Sequence, residues 1–292
     1  MTIRRRDFLA ATAAVAAVSQ RGLSAILPAP GSARKLKLGL VTYNWGKEWD
    51  VPTIIRNCEA TGFAGVELRS THEHGVEITI DQQRRSEVRR QFEDSNIEVV
   101  GLGSACEYHA VDSAVLQKNI DETKQFIKLC KDVGGTGVKV RPNGLPKERS
   151  IEQTLEQIGR ALNEVGTYAG DHGIQIRVEV HGQGTSEIPH MKTIFDIADN
   201  PNVVVCWNCN PTDLAGEGLV ANYRSLQHRM GTIHIHDLRN NKYPWAKLFP
   251  LLLETTAASF TGWALLEEGA VPQDIVPAMQ ENREQWKILT AS

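Results

Sequence analysis

No run of about 20 consecutive apolar residues, the length a membrane-spanning helix needs, occurs anywhere in this chain of 292 residues. No Gly-x-Gly-x-x-Gly follows the first strand-like segment, which removes the main signature of a dinucleotide-binding sheet. Basic charge is not in excess. The 32 Lys and Arg residues face 35 Asp and Glu for a net charge of -3, and they are dispersed. A nucleic-acid surface needs a basic patch or stripe, so a small-molecule partner is expected instead. Cysteine is sparse and odd in number. Cys58, Cys106, Cys130, Cys206 and Cys209 make no disulfide framework. Cys206 and Cys209 form a C-x-x-C, but a redox pair belongs at a helix start, where the dipole lowers the thiol pKa. Here the motif lies within and just beyond the strand-like Val203-Val204-Val205-Cys206, so buried thiols are expected. No low-complexity linker or composition break marks a domain boundary.

What is present begins with an export pattern. Arg4, Arg5 and Arg6 precede Asp7-Phe8-Leu9 and an Ala/Val-rich stretch from Ala10 to Val18. A charged start, a short apolar core and the small residues Gly31-Ser32-Ala33 make residues 1–33 an export signal peptide. The Arg5-Arg6-Asp7-Phe8-Leu9 run resembles a twin-arginine signal, which implies the twin-arginine machinery as a partner and a periplasmic or otherwise exported location. Residues 34–292 then form one domain.

From Lys35 onward, short β-like runs alternate with longer amphipathic stretches. The expected strands are Leu38–Tyr43, Gly65–Leu68, Glu98–Gly101, Gly137–Val140, Ile174–Val180, Val203–Trp207, Thr232–His236 and Trp263–Glu267. Most are rich in Val, Ile and Leu, as parallel strands covered on both faces should be. Several helix-like segments end in glycine just before the next strand, as in Thr61-Gly62, Val133-Gly134 and His172-Gly173. Glycine relieves the left-handed residue that closes a helix. Eight such units in about 250 residues are the size of a single (β/α)8 barrel, an α/β fold.

In that fold function collects where strands end. Six of the nine histidines, His72, His74, His109, His181, His234 and His236, fall at strand ends. Glu107, Lys139, Arg141, Glu179, Asn208 and Glu267 fall there too. Residues two apart on a strand share a face, so Glu179 shares one with His181, and His234 with His236. Carboxylates and imidazoles converging from neighbouring strands make a site for a divalent cation. His72, His74, Glu107, Lys139, Arg141, His181 and His234 are candidates for substrate hydroxyl recognition or proton shuttling. Trp45 and Trp207 are either sugar-stacking faces or core aromatics.

With Gly62-Phe63-Ala64-Gly65-Val66-Glu67, Val178-Glu179-Val180-His181-Gly182, His234-Ile235-His236-Asp237 and Gly262-Trp263-Ala264-Leu265-Leu266-Glu267 in this order, the chain resembles xylose-isomerase-like TIM barrels of the sugar phosphate isomerase/epimerase family. The resemblance spans the whole chain after the signal. It implies one divalent metal ion (Mn, Mg, Zn or Co) held by Glu179, Asn208, His236 and Glu267. Asn208 stands where Asp is usual and brings no charge, so metal affinity should fall, His181 or His234 be recruited, or the metal be absent. It also implies proton abstraction next to a sugar carbonyl, with Glu179 and Glu267 as the acid/base pair. No Gly-rich phosphate cradle is present in the last loops, so a free or keto-sugar fits an exported enzyme better than a sugar phosphate. Two other readings stay open: a lyase or hydratase acting on 3-keto glycosides, and a non-catalytic carbohydrate-binding barrel. Metal-dependent DNA-repair nucleases of the same fold are disfavoured for want of ligands and a basic groove. Whether the chain forms a homo-oligomer is left open.

Overall fold

A computed structural model describes residues 35–291; the export signal lies outside the described residues. Eight strands close into an all-parallel barrel in chain order, β1 pairing with β8. They are β1 Lys37–Val41, β2 Gly65–Arg69, β3 Glu98–Glu107, β4 Gly137–Arg141, β5 Gln175–Glu179, β6 Val203–Trp207, β7 Met230–Ile235 and β8 Trp263–Leu266. After them come α1 Val51–Thr61, α2 Gln82–Glu93, α3 Ser113–Asp132, α4 Ile151–His172, α5 Ile188–Ile197, α6 Leu219–Leu226, α7 Trp245–Leu253 and α8 Ile275–Thr290. The expected (β/α)8 barrel is the observed fold. The largest difference is β3, which runs six residues past its expected end at Gly101, to Glu107. A register shift between Gly103 and Glu107 accompanies this extension.

Local chemistry sets the element ends. Asp50, Asp81 and Asp112 each accept a backbone N–H of the first helical turn, and Ser150 with Gln153 forms a reciprocal capping box on α4. Gly62 and Gly173 close α1 and α4 at φ 72° and 71°, where a side chain would be strained.

Alternation along each strand splits the barrel wall in two. Ile176 and Val178 of β5 and Val138 and Val140 of β4 point outward into the apolar layer beneath the helices. Their neighbours Arg177, Glu179 and Lys139 are also buried but lie apart from that layer. A second, small apolar cluster of Val41, Val100, Trp263 and Leu265 fills the barrel interior. The strands therefore carry an aliphatic outer face and a largely polar inner one, which a count of Val, Ile and Leu does not distinguish. Trp45 and Trp207 are 1% and 0% exposed. The Trp45 indole donates to Ala270 O and the Trp207 indole to Tyr243 Oη. Both are core aromatics and offer no stacking face.

All five cysteines are buried and free. Burial pushes the Cys209 thiol far above its ordinary range, with nearby Asp213 adding to the effect. The C-x-x-C is therefore packing, and no disulfide occurs among the described residues.

Candidate active site at the barrel mouth

The inner faces of β2, β4, β5 and β7, and the residue just past β8, deliver one charged group each to a common space near the carboxyl ends of the strands. Lys139 Nζ lies 2.7 Å from Glu179 Oε2, and both side chains are 3% exposed. The Asn208 amide, just past β6, donates to the other oxygen of Glu179 at 2.9 Å. His234 bridges two acids: its Nδ1 is 3.2 Å from Glu267 Oε2 and its Nε2 is 3.3 Å from Glu67 Oε1. One donor atom each from Glu179, His234 and Glu267 falls within 4.8 Å of the others.

The electrostatics of this group are mutual. Burial alone would raise the Glu67 pKa, but the His234 imidazole, then Lys139 and Arg177, bring it below the usual carboxylate range. Burial likewise opposes ionisation of Glu267, and His234 and Lys139 overcome it, holding the carboxyl down to about 2. Burial works against the charged forms of Lys139 and His234 as well. Glu179 outweighs it for Lys139, and Cys206, Glu67 and Glu267 outweigh it for His234, so both pKa values rise. Desolvated charges of opposite sign within a few ångströms of one another hold each other ionised. Not every polar atom is satisfied: Asn208 Oδ1 and Glu67 Oε2 are buried without a partner, and Glu67 Oε1 has only the His234 ion pair. Buried polar atoms are nearly always paired, so each of these asks for an explanation.

Of the residues expected at the site, Glu179, Asn208, Lys139, His234 and Glu267 come together. The imidazole among the carboxylates is His234 rather than His236, the expected ligand. His236 lies just past the end of β7, where its Nδ1 bonds to Glu267 O at 2.9 Å. With Cys209, Leu214, Asp237 and Tyr243 it lines a separate cavity of about 270 Å³. Arg141, Glu107 and His181 form a neighbouring chain. Arg141 and Asn143 both donate to Glu107, and His181 Nδ1 meets Asn143 Oδ1 at 2.7 Å. Because the Asn143 amide nitrogen is spent on Glu107, its oxygen accepts from His181 Nδ1–H, which leaves His181 Nε2 as an acceptor.

His72 lies 3.3 Å from Arg69 at the rim. His74, expected as a substrate contact, is used locally. Its Nδ1 accepts from Val76 N–H and its Nε2 meets Arg69 O, while burial pushes its pKa down to about 4. It braces the loop after β2 and has no free nitrogen for a ligand.

Two buried charges carried no expected role. Glu67 was recognisable only as part of the run Gly65-Val66-Glu67, and Arg177 only as an interruption of Ile176 and Val178. The signal was there in the alternation: a charge flanked by two outward aliphatics must face the barrel axis.

A profile of the family described as xylose isomerase-like TIM barrel matches residues 55–286. The chain belongs to that family. No curated protein matches it in sequence. Several solved structures share the fold of this xylose isomerase-like barrel. The 3-keto-D-glucoside 4-epimerase YcjR from E. coli is 14% identical, with a TM-score of 0.71 over 88% of this chain and 100% of that one. An L-ribulose 3-epimerase is also 14% identical, with a TM-score of 0.74 over 88% of this chain and 95% of that one. The IOLI protein with a binding zinc atom has a TM-score of 0.71 at 14% identity, over 88% of this chain and 98% of that one.

Proposed function

We propose that this barrel is a sugar isomerase or epimerase that removes a proton from a carbon next to the carbonyl of a free or keto-sugar. The observation that carries the reading is the meeting of Glu179 and Glu267 with His234 inside 4.8 Å at the barrel mouth. Proton abstraction beside a carbonyl needs a base, an acid and positive charge for the developing oxyanion. Glu267, 12% exposed toward the mouth, is held ionised by its neighbours and so has its carboxylate free of a proton at the start of the reaction. Glu179 serves as its counterpart, and Lys139, Asn208 and His234 supply the donors and field that an enediolate oxygen requires. His181, with its acceptor nitrogen set by Asn143, takes a substrate hydroxyl. Two of the fold neighbours, a 3-keto-D-glucoside 4-epimerase and an L-ribulose 3-epimerase, bear names consistent with such chemistry.

The donor types are those a divalent ion takes, but their neighbours oppose one. Glu179, His234 and Glu267 converge and Asn208 Oδ1 is buried and unpartnered, yet Lys139 already pairs with Glu179 and the two His234 nitrogens face Glu67 and Glu267. When bound, such an ion would polarise substrate oxygens as a Lewis acid. The Arg5-Arg6 start supports export through the twin-arginine machinery, hence an unphosphorylated sugar outside the cytoplasm.

A second reading, elimination from a 3-keto glycoside, draws on the cavity of about 270 Å³ beside His236, whose walls include Pro211, Leu214 and Tyr243 and would receive a departing group.

The test is incubation with keto-hexoses and 3-keto glycosides in deuterated water. Solvent deuterium should enter the carbon next to the carbonyl, and Glu179→Gln or Glu267→Gln should slow that exchange about 100- to 10,000-fold. Exchange left intact in both variants would remove these residues from the chemistry. Release of a free alcohol or sugar from the glycoside would select the lyase reading.

A further inference from the structure

Both oxygens of Glu179 already accept a donor. Lys139 occupies one oxygen at 2.7 Å and the Asn208 amide the other at 2.9 Å. A divalent ion needs lone pairs on Glu179, and the one left on each oxygen lies beside a donor already in place. The charge of the donor set points the same way. Among Glu179, Asn208, His234 and Glu267 only the two glutamates bring negative charge, and Lys139 stands against one of them with its side chain 3% exposed. A hard divalent cation is drawn chiefly by carboxylate charge, and an ammonium within hydrogen-bonding distance of its ligand repels it with little solvent to screen the effect. The lysine is also fixed from behind, since Ser104 Oγ donates to its carbonyl at 2.7 Å.

We propose that Lys139 is the resident cation of this site. Its ammonium holds Glu179 in place and supplies positive charge inside the barrel mouth, and a divalent ion binds only weakly because it must share Glu179 with that buried ammonium. The inference concerns which cation the mouth holds and does not depend on which sugar, or which reaction, the protein serves.

The experiment reads metal binding without substrate. Protein purified in the absence of chelator is analysed for metal content, and its melting temperature is recorded with MnCl2, ZnCl2, MgCl2 and EDTA. Lys139→Met, Lys139→Gln and Lys139→Arg are compared with the wild type, and Mn affinity is measured by calorimetry. Wild type should carry far less than one ion per chain, with a melting temperature unmoved by EDTA. Lys139→Met should bind Mn roughly tenfold tighter or more and be stabilised by it through linkage. Lys139→Arg, which keeps the charge, should resemble wild type. Lys139→Gln answers the question if the methionine variant does not fold. A wild type holding one ion per chain, with EDTA lowering its melting temperature, overturns the proposal. So does an Mn affinity that is unchanged or weaker in the uncharged variants. Failure of the deuterium-exchange test would leave all of these readings untouched, so the two proposals fail separately.

Discussion

Arg177 and Glu179 stand two residues apart on one strand, face the same interior and are equally hidden from solvent, yet their surroundings differ in kind. Arg177, deeper in the barrel, is tied to the wall: Nη1 donates to Val100 O at 2.8 Å, Nη2 to Thr136 Oγ1 at 2.9 Å and Nε to Gln175 Oε1 at 3.2 Å. Glu179, at the mouth, depends on Lys139 and Asn208, and around it Asn208 Oδ1 and Glu67 Oε2 lack partners. Backbone strain follows the same division. The three non-glycine residues with positive φ among those described, Thr71, Asn143 and Cys209, all lie just beyond strands, on the mouth side. Strain and unmet polar groups persist only where surrounding structure holds them, and they gather at functional sites. Burial alone therefore does not separate a structural charge from a chemical one. Satisfaction does.

The strongest way to break the comparison is to disturb the deep end. A Cβ on Gly137 would lie 2.3 Å from Arg177 Nε and 2.4 Å from its Cζ. Gly137→Ala should push the guanidinium off its partners and cost about 3–5 kcal/mol, the usual loss when a buried charge is left uncompensated. Chemical denaturation measures that loss. The remaining folded protein should keep its deuterium exchange, the reverse of the pattern expected for Glu179→Gln and Glu267→Gln. A stable but inactive Gly137→Ala would erase the distinction between the two ends.

A second test sharpens it with pH. Asp213 follows β6 on the mouth side and is fully buried; its Oδ2 accepts from Tyr243 Oη at 2.7 Å, while Oδ1 has no partner. Burial pushes its pKa from 3.8 up to about 7. Between those values the folded state binds the proton that the unfolded chain releases. Stability from this group is therefore complete below about 4 and is lost as pH rises toward 7. Asp213→Asn should flatten the change in melting temperature between pH 4 and pH 8 relative to wild type. Parallel curves for the two proteins would mean that Asp213 is not held protonated.

The smallest effect concerns backbone strain. Thr71 sits at φ 68°, a conformation that costs a β-branched residue on the order of 1 kcal/mol or more. Thr71→Gly should stabilise the fold by about 0.5–1 kcal/mol in denaturant melts, because the relief is partly offset by a more flexible unfolded chain. A loss of stability would show that the threonine hydroxyl, bonded to Ser70 O at 2.6 Å, outweighs the strain.

The barrel was legible because its rules are local. Helix-closing glycines such as Gly62 and Gly173, capping residues such as Asp50 and Ser150, and aliphatic runs such as Val203–Val205 each act within a few residues. The rim was legible in outline for the same reason: His, Glu and Asn at strand ends are a pattern along the chain. His236 against His234 was not legible. They are two residues apart, but β7 ends at Ile235, so His234 stays on the strand and reaches Glu267 Oε2 while His236, just beyond it, meets the Glu267 carbonyl. The Lys139–Glu179 contact was hidden likewise, since it joins residues 40 apart in sequence.

The chain by itself determined the alternation of strand and helix, the closure into eight units and the set of ionisable groups at the strand ends, because each follows from short-range sterics, capping and the pleat. Tertiary structure alone decided which of those groups share a space and which are left unsatisfied. Pairings across strands depend on register, tilt and burial, and a low dielectric gives a difference of an ångström or two its chemical consequence.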